Sequence, residues 1–443
     1  MIRIRASIAV ALIVAFALLS SPTGFGQQES PPAQDTSLRN QLGNIIVTPG
    51  NGPNLALADF VARSAGTEAA TATFNEVLLA DLDFAAVAGL VGKSLNPKTL
   101  VPDPASLKFE EWSADPAKAD YVAFGNLQGA GGLAADCYLY DVKTKQQLIA
   151  SRHSGDARRM AHEFADEIVK LLTGREGIAT SKIAYVGGDV IRVSDYDGFN
   201  ARTFASDGPL LRFPQFSPDG RYLAYVSYKS GVPNIVVRSA DGGLIGGTHF
   251  NATTTSPTIS PSGQLAFSSA ISNDGSMEIY VANLDGSNAR RLTRTAKGIN
   301  ISPRWNPKTG REIAYISSRG GSPQVYVMSA SGVGAKRVTF QGKYNQTPRF
   351  CPRSDKQLLA FTGRDEKGAF DVFILDLKTN RIDRIVAQGK GSNLDPAWSP
   401  DGRLLAYTSS RGGIFIYNPE TRHEVQVWKG GASSPTWGPA PRR

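Results

Sequence analysis

Cysteine is scarce in this 443-residue chain, and the two residues present, Cys137 and Cys351, exclude a disulfide scaffold and a Cys-only zinc site. Histidine is nearly as scarce. His153, His162, His249 and His423 are dispersed, with no H-x-H or HExxH spacing that would hold a metal. A G-x-S-x-G nucleophile elbow is also lacking. Beyond Leu19 no apolar run is long enough to span a bilayer. Charge of one sign is missing too: 48 Lys+Arg stand against 39 Asp+Glu, a formal excess of +9 that is too diffuse to imply a nucleic-acid partner. With 41% hydrophobic and 20% charged residues, the chain is neither disordered nor a multi-span membrane protein. Glycine (45) and proline (26) are plentiful, which predicts many turns.

The first 26 residues read as an export signal. Arg3 and Arg5 form a basic start, Ile8 to Leu19 is a continuous apolar run, and SSPTGFG follows with small and turn residues. Twelve apolar residues fall well short of the roughly 20 a spanning helix needs. No cysteine lies near the expected cleavage at Gly26–Gln27, so no lipoprotein anchor is expected. The expected product is exported and soluble. Residues 27–41 are polar, contain a Pro pair and lack periodicity, the pattern of a flexible arm.

Self-similarity fills the C-terminal half. PQFSP, PTISP, PRWNP, PRFCP, PAWSP and PTWGP begin at Pro214, Pro257, Pro303, Pro348, Pro396 and Pro435, a period of about 45 residues. Most are followed by an apolar stretch with Ala, such as LAYVS (Leu223), IAYIS (Ile313) or LAYTS (Leu405), and then by an alternating run such as EIYVANLDG. Period-2 runs between SPDG and LDG turns predict four-stranded antiparallel units, which must pack on one another to bury both faces. The expected fold class is α+β multidomain, with a small N-terminal α/β domain (42–176) and an all-β propeller (179–443). A second-strand signal, KIAYVGG at Lys182, precedes the first proline element, and PTWGP has no second strand after it. Six first strands and six second strands are therefore out of phase. The C-terminal strand should join the blade begun at residue 182 and close a six-bladed ring.

In such a blade the loop leading into the innermost strand and the loop between second and third strands share one face. GINISP, GKYNQTP and GSNLDP put Asn300, Asn345 and Asn393 three residues before the repeat proline. Lys229, Arg319 and Arg411 come five residues after the repeat Ala, and Arg364 one step earlier. One mouth of the propeller is expected to be basic, rich in amides and suited to docking a partner. For each residue singly, an Asx turn or a solvated hairpin explains the pattern as well. The tryptophans Trp305, Trp398 and Trp437 fall on inner strands and are expected in the core.

The region 42–176 is mixed. NIIVT (Asn44–Thr48) and YVAFGNL (Tyr121–Leu127) predict strands, and DCYLYDV with QQLIASRHS predicts a hairpin joined at Lys143–Lys145. Helices are expected over Thr67–Leu82 and Ala157–Leu172. The second has Met160, Phe164, Ile168 and Leu171 on one apolar face, Asp156 as N-cap and Gly174 as stop. VAGLVGKS (Val87–Ser94) lacks the first glycine of a phosphate loop, and GAGGLA (Gly129–Ala134) leads into a strand, so it reads as a hairpin loop. DYDG (Asp195–Gly198) reads as a blade turn, His162 as a surface or capping residue, and the two cysteines as separate buried thiols. No catalytic constellation emerges, and no cofactor or metal is expected.

The junction AHEFADEIVKLLTGREGIATSKIAYVGG (Ala161–Gly188) closely resembles that of the TolB family, the propeller proteins of the Tol–Pal system. FNEVLLADLDFAAVAGL, FEEWSADPAKADYVAFGNL and the WSPDGR–LAYTSSRGG repeats extend the resemblance over roughly residues 44–439. It implies a periplasmic adaptor without enzymatic activity. The family's partners would be the peptidoglycan-associated lipoprotein Pal, at the propeller mouth, and the TolA C-terminal domain, at the mature N-terminus. Its role would be outer-membrane integrity and invagination at division. By position the resemblance makes Thr254, Ser256, Asn300, Ile301, Asn345 and Asn393 the Pal-facing candidates in a chain expected to be a monomer. Two other readings remain open: a glycan- or peptidoglycan-binding propeller, and a channel hydrolase, for which no converging carboxylates or metal ligands are evident.

Overall fold

The computed structural model describes residues 52–439 except 296–297, 354, 365–367 and 386–390. The export signal, the arm and the expected strand NIIVT lie outside the described residues. The chain divides into two compact units, one ending at Thr180 and the other beginning at Ser181.

The N-terminal unit is a six-stranded sheet with two long helices. The strands Asn54–Leu57, Gly89–Leu90 and Tyr121–Gln128 run parallel, and Tyr121–Gln128, Ala134–Asp141 and Gln147–Ser154 form an antiparallel meander. Helix α1 spans Glu68–Ala85, the short α2 Phe109–Ser113, and α3 Ala157–Thr173. Asp156 caps α3 by accepting from the Arg159 amide, and Gly174 ends it in the left-handed region at φ 69°, where a residue without Cβ carries no steric penalty. The expected GAGGLA loop joins the first two strands of the meander, and the Lys143–Lys145 turn joins the second and third.

Two details depart from expectation. Leu171 is exposed, and the buried face of α3 runs through Met160, Phe164, Ile168 and Val169. Leu171 lies on the same helical face as Met160 and Phe164, so its exposure is set by its place in the last turn, past the residues that this face buries. His162 is buried, not on the surface: its Nδ1 lies 2.6 Å from Oδ2 of Asp81, which is also buried on α1. A polar pair between two helices needs both partners, and they are 81 residues apart in sequence. Gly125 marks a close approach, because a Cβ there would sit 2.0 Å from the Asp136 carbonyl and 2.5 Å from the Phe60 ring. Phe60 in turn packs at a tilt against Phe74 of α1 and edge-on against Phe164 of α3.

The second unit consists of six four-stranded antiparallel sheets. Blade 1 comprises Lys182–Gly187, Val190–Asp195 and Arg202–Ala205, and its innermost strand is the C-terminal Ala432–Gly438, with Trp437 opposite Ile183. The inner strands of blades 2 to 6 are Leu211–Phe216, Thr254–Ile259, Asn300–Trp305, Asn345–Phe350 and Asn393–Trp398. Neighbouring inner strands touch all the way round, so the ring closes as the out-of-phase repeats predict. The core lies between blades. Leu265, Phe267 and Tyr280 of blade 3 pack with Val226 and Val237 of blade 2, and the same pattern repeats between blades 1 and 2, 3 and 4, 4 and 5, and 5 and 6. Trp305, Trp398 and Trp437 are buried in it.

The proline element has a backbone reason. The residue before each repeat proline, Phe213, Ser256, Ser302, Thr347, Asp395 and Ser434, has φ between 48° and 56°. Every inner strand shifts register at this point, which is a β-bulge repeated six times. A left-handed non-glycine residue costs roughly 1–2 kcal/mol, so the surroundings must hold it. In three blades its N–H donates to a hydroxyl of the preceding blade: Ser302 to Ser268 at 3.0 Å, Asp395 to Thr362 at 3.1 Å and Ser434 to Thr408 at 2.9 Å. The proline that follows has no N–H to leave unpaired at the interrupted ladder.

Candidate functional site: the propeller mouth and channel

The loops after the second strands and the loops leading into the inner strands lie on one face of the ring. Lys229, Arg319, Arg364 and Arg411 are all exposed there. Lys229 lies on the turn between Tyr222–Ser227 and Asn234–Ser239. The arginines are held in place. Arg319 lies 4.8 Å over the Tyr326 ring and donates to the Tyr315 hydroxyl at 2.6 Å and to Asn300 Oδ1 at 3.3 Å. Arg364 donates to the Gly368 carbonyl and lies over Phe370. Arg411 lies 3.9 Å over Phe415, donates to the Tyr407 hydroxyl at 2.8 Å, and pairs with Glu424 at 2.6 Å. That carboxylate offsets its charge, so the mouth is less basic than a count of its cations implies. Burial and the Glu424 carboxylate push the Tyr407 phenol far above its ordinary range, leaving it a neutral hydroxyl at every working pH.

The three asparagines are not loop residues. Each is the first residue of an inner strand and is buried. Each donates backwards to the start of the third strand of the preceding blade, to its first residue in two cases and its second in the last: Asn300 to Glu278 at 2.7 Å, Asn345 to Gln324 at 2.8 Å and Asn393 to Asp371 at 2.7 Å. A threonine after the outer strand completes the latch. Thr293 and Thr339 donate to the same Glu278 and Gln324 side chains and accept from the backbone of Ile279 and Val325. The amides therefore join blade to blade instead of making Asx turns or facing outward, because a buried carboxylate or amide oxygen must find donors. Thr254 is buried at the matching position of blade 3 and bonds Ser269 at 2.8 Å. Of the remaining candidates, Ser256 and Ile301 line the central channel and do not lie on the outer rim.

The channel is lined by inner-strand residues of all six blades. The pre-proline ring of Phe213, Ser256, Ser302, Thr347, Asp395 and Ser434 faces it, as do Arg304 and Arg349. Neither arginine was singled out by sequence reasoning, although the signal was there. PRWNP and PRFCP carry Arg at the position where the other copies have Gln215, Thr258, Ala397 and Thr436. The mouth also carries Phe340, an aromatic 71% exposed on the loop between blades 4 and 5, with Arg337 over its ring. Cys137 and Cys351 are free and buried, and burial raises both thiols above their ordinary range, which keeps them unreactive. No helix among the described residues is long and apolar enough to cross a membrane.

Comparison with known proteins agrees with this architecture. The family profile of the TolB beta propeller domain matches residues 169–441. The Tol-Pal system protein TolB of Anaeromyxobacter dehalogenans strain 2CP-C is 37% identical over 407 residues, covering 87% of this chain and 90% of that protein. A protein TolB homolog of Chlorobium chlorochromatii is 29% identical over 264 residues, 57% of this chain and 59% of that protein. The crystal structure of TolB from Acinetobacter baumannii shares the fold at a TM-score of 0.71 and 24% identity, covering 89% of this chain and 98% of that one. With a family match over most of the chain and a relative aligned along nearly all of it, the chain belongs to the TolB family, the non-enzymatic β-propeller component of the Tol–Pal system.

Proposed function

We propose that this chain is a periplasmic adaptor of the Tol–Pal envelope complex, docking the lipoprotein Pal on the propeller mouth and the TolA C-terminal domain through its N-terminal segment. In this role it supports outer-membrane integrity and invagination at division. The observation that carries the reading is the mouth itself. A closed ring with interlocked blades presents Lys229, Arg319 and Arg364 on the same face as the exposed Phe340. A rigid scaffold with fixed arginines and one prominent aromatic is the composition of an interaction hot spot. Cations fixed by stacking lose little side-chain entropy on docking.

Calorimetry of residues 27–443 with the periplasmic domain of the same organism's Pal tests it. One-to-one saturable binding is expected, weaker at higher salt because the mouth cations are screened. Phe340→Ala is expected to weaken binding at least tenfold, and Lys229→Glu to lower the association rate. No binding at high protein concentration would overturn the adaptor reading.

A further inference from the structure

Among the described residues, the channel lining holds two guanidiniums whose surroundings do not complete them. Arg349 enters from the inner strand of blade 5, and its Nη1 is shut off from solvent without a hydrogen-bond partner. Burial pushes its pKa down to about 10, against the field of Asp395, so it stays charged at neutral pH. Asp395 is occupied elsewhere, accepting from the Ser434 hydroxyl at 2.9 Å. Arg304, 6% exposed, lines the same channel. Its Nη1 is tied to the carbonyls of Ser256, Pro257 and Pro303, while its Nε has no partner. Two guanidiniums therefore stand against one carboxylate in this lining. A charge enclosed by protein is costly unless a counter-charge reaches it.

Donors are in place around the pair. Ser256, Ser302 and Gln346 line the same space and bring hydroxyl and amide groups to it, while the Thr347 hydroxyl in the same lining bonds Thr362 at 2.8 Å. Guanidinium with hydroxyl and amide donors is the set that recognises planar or tetrahedral oxyanions. We propose that the propeller channel is a binding site for a small oxyanion of the carboxylate or phosphate type, held chiefly by Arg349. The site is separate from the outer rim and stands whether or not Pal docks there. Asp395 opposes the anion, and burial raises its pKa, so binding strengthens as the pH falls and this carboxyl takes up a proton.

Thermal unfolding of the whole chain, titrated with sulfate at constant ionic strength made up with chloride, reads the site. Sulfate also stabilises proteins generally, with a dependence that does not saturate. A bound anion adds a saturating rise on top. The saturating component is expected in the wild type and absent in Arg349→Met, whose unliganded stability is no lower. Asp395→Asn is expected to lower the half-saturating concentration at least tenfold and to remove its pH dependence. A parallel titration with succinate separates carboxylate from sulfate- or phosphate-type preference. A wild type without the saturating component, or an Arg349→Met chain that retains it, overturns the proposal. Should Arg349→Met not fold, an Asp395→Asn chain that binds sulfate no more tightly than wild type overturns it equally.

Discussion

The blade-to-blade latch makes Asn345→Ala the sharpest test of what the inner-strand asparagines do. Asn345 is 2% exposed, and its Nδ2 donates to Gln324 Oε1 at 2.8 Å and to the Gln341 carbonyl at 3.0 Å. Two neutral hydrogen bonds contribute about 1 kcal/mol each, and the small void left by the amide adds to that. Gln324 Oε1 still accepts from Thr339 at 2.7 Å, so the substitution does not orphan it. The expected loss is therefore about 2–3 kcal/mol. Asp371→Ala should cost more, about 3–5 kcal/mol, because it leaves the buried Asn393 amide and Arg384 without their carboxylate. Lys229→Ala, on the exposed rim, should stay within about 0.5 kcal/mol. Urea unfolding followed by tryptophan fluorescence reads all three, since Trp305, Trp398, Trp428 and Trp437 all report on the propeller. An Asn345→Ala protein as stable as Lys229→Ala, yet deficient in partner binding, would refute the latch and return the asparagine to the docking surface.

Two further outcomes follow from the N-terminal unit. Gly125→Ala forces a Cβ against the Asp136 carbonyl and the Phe60 ring, so a loss above roughly 3 kcal/mol or failure to fold is expected; a chain melting like wild type would show that the strand and ring can part. The unit should also be more stable at pH 5.5 than at pH 8. Burial opposes the charged form of His153, yet hydrogen bonds and charges from Glu167 and Glu163 raise its pKa overall. Burial also raises Asp166 to about 6 despite the bonds it accepts from Ala179 and Thr180. A raised folded pKa gives stability that is present at low pH and lost as the pH rises through it, by about 1 kcal/mol for Asp166 over this interval, with His153 adding to the loss in the same direction. Glu167, shifted down, works the other way only as the pH falls through the ordinary carboxylate range. A urea midpoint that rises from pH 5.5 to 8, or one whose fall survives His153→Gln with Asp166→Asn, would contradict this account.

Blade number, strand order and ring closure were legible in the sequence because each rests on local chemistry. A proline element, a period-2 run and a turn recur at a fixed spacing, and the missing second strand after PTWGP leaves its first strand only one place to pair. The caps of α3 are legible for the same reason, as Asp156 and Gly174 act on neighbours within four residues. The asparagines show where that reasoning stops. Their position in the motif was evident, but their partners lie 21 or 22 residues earlier on a different blade, and only the packing of sheet on sheet decides whether an amide faces water or a buried acceptor. His162 meets Asp81 across two helices for the same reason. Arg304 and Arg349 stand one residue after the repeat proline, and the bulge before that proline is what turns the inner strand around them toward the channel. The period of the chain determined the ring, and the contacts between its blades decided which side chains remain available to a ligand.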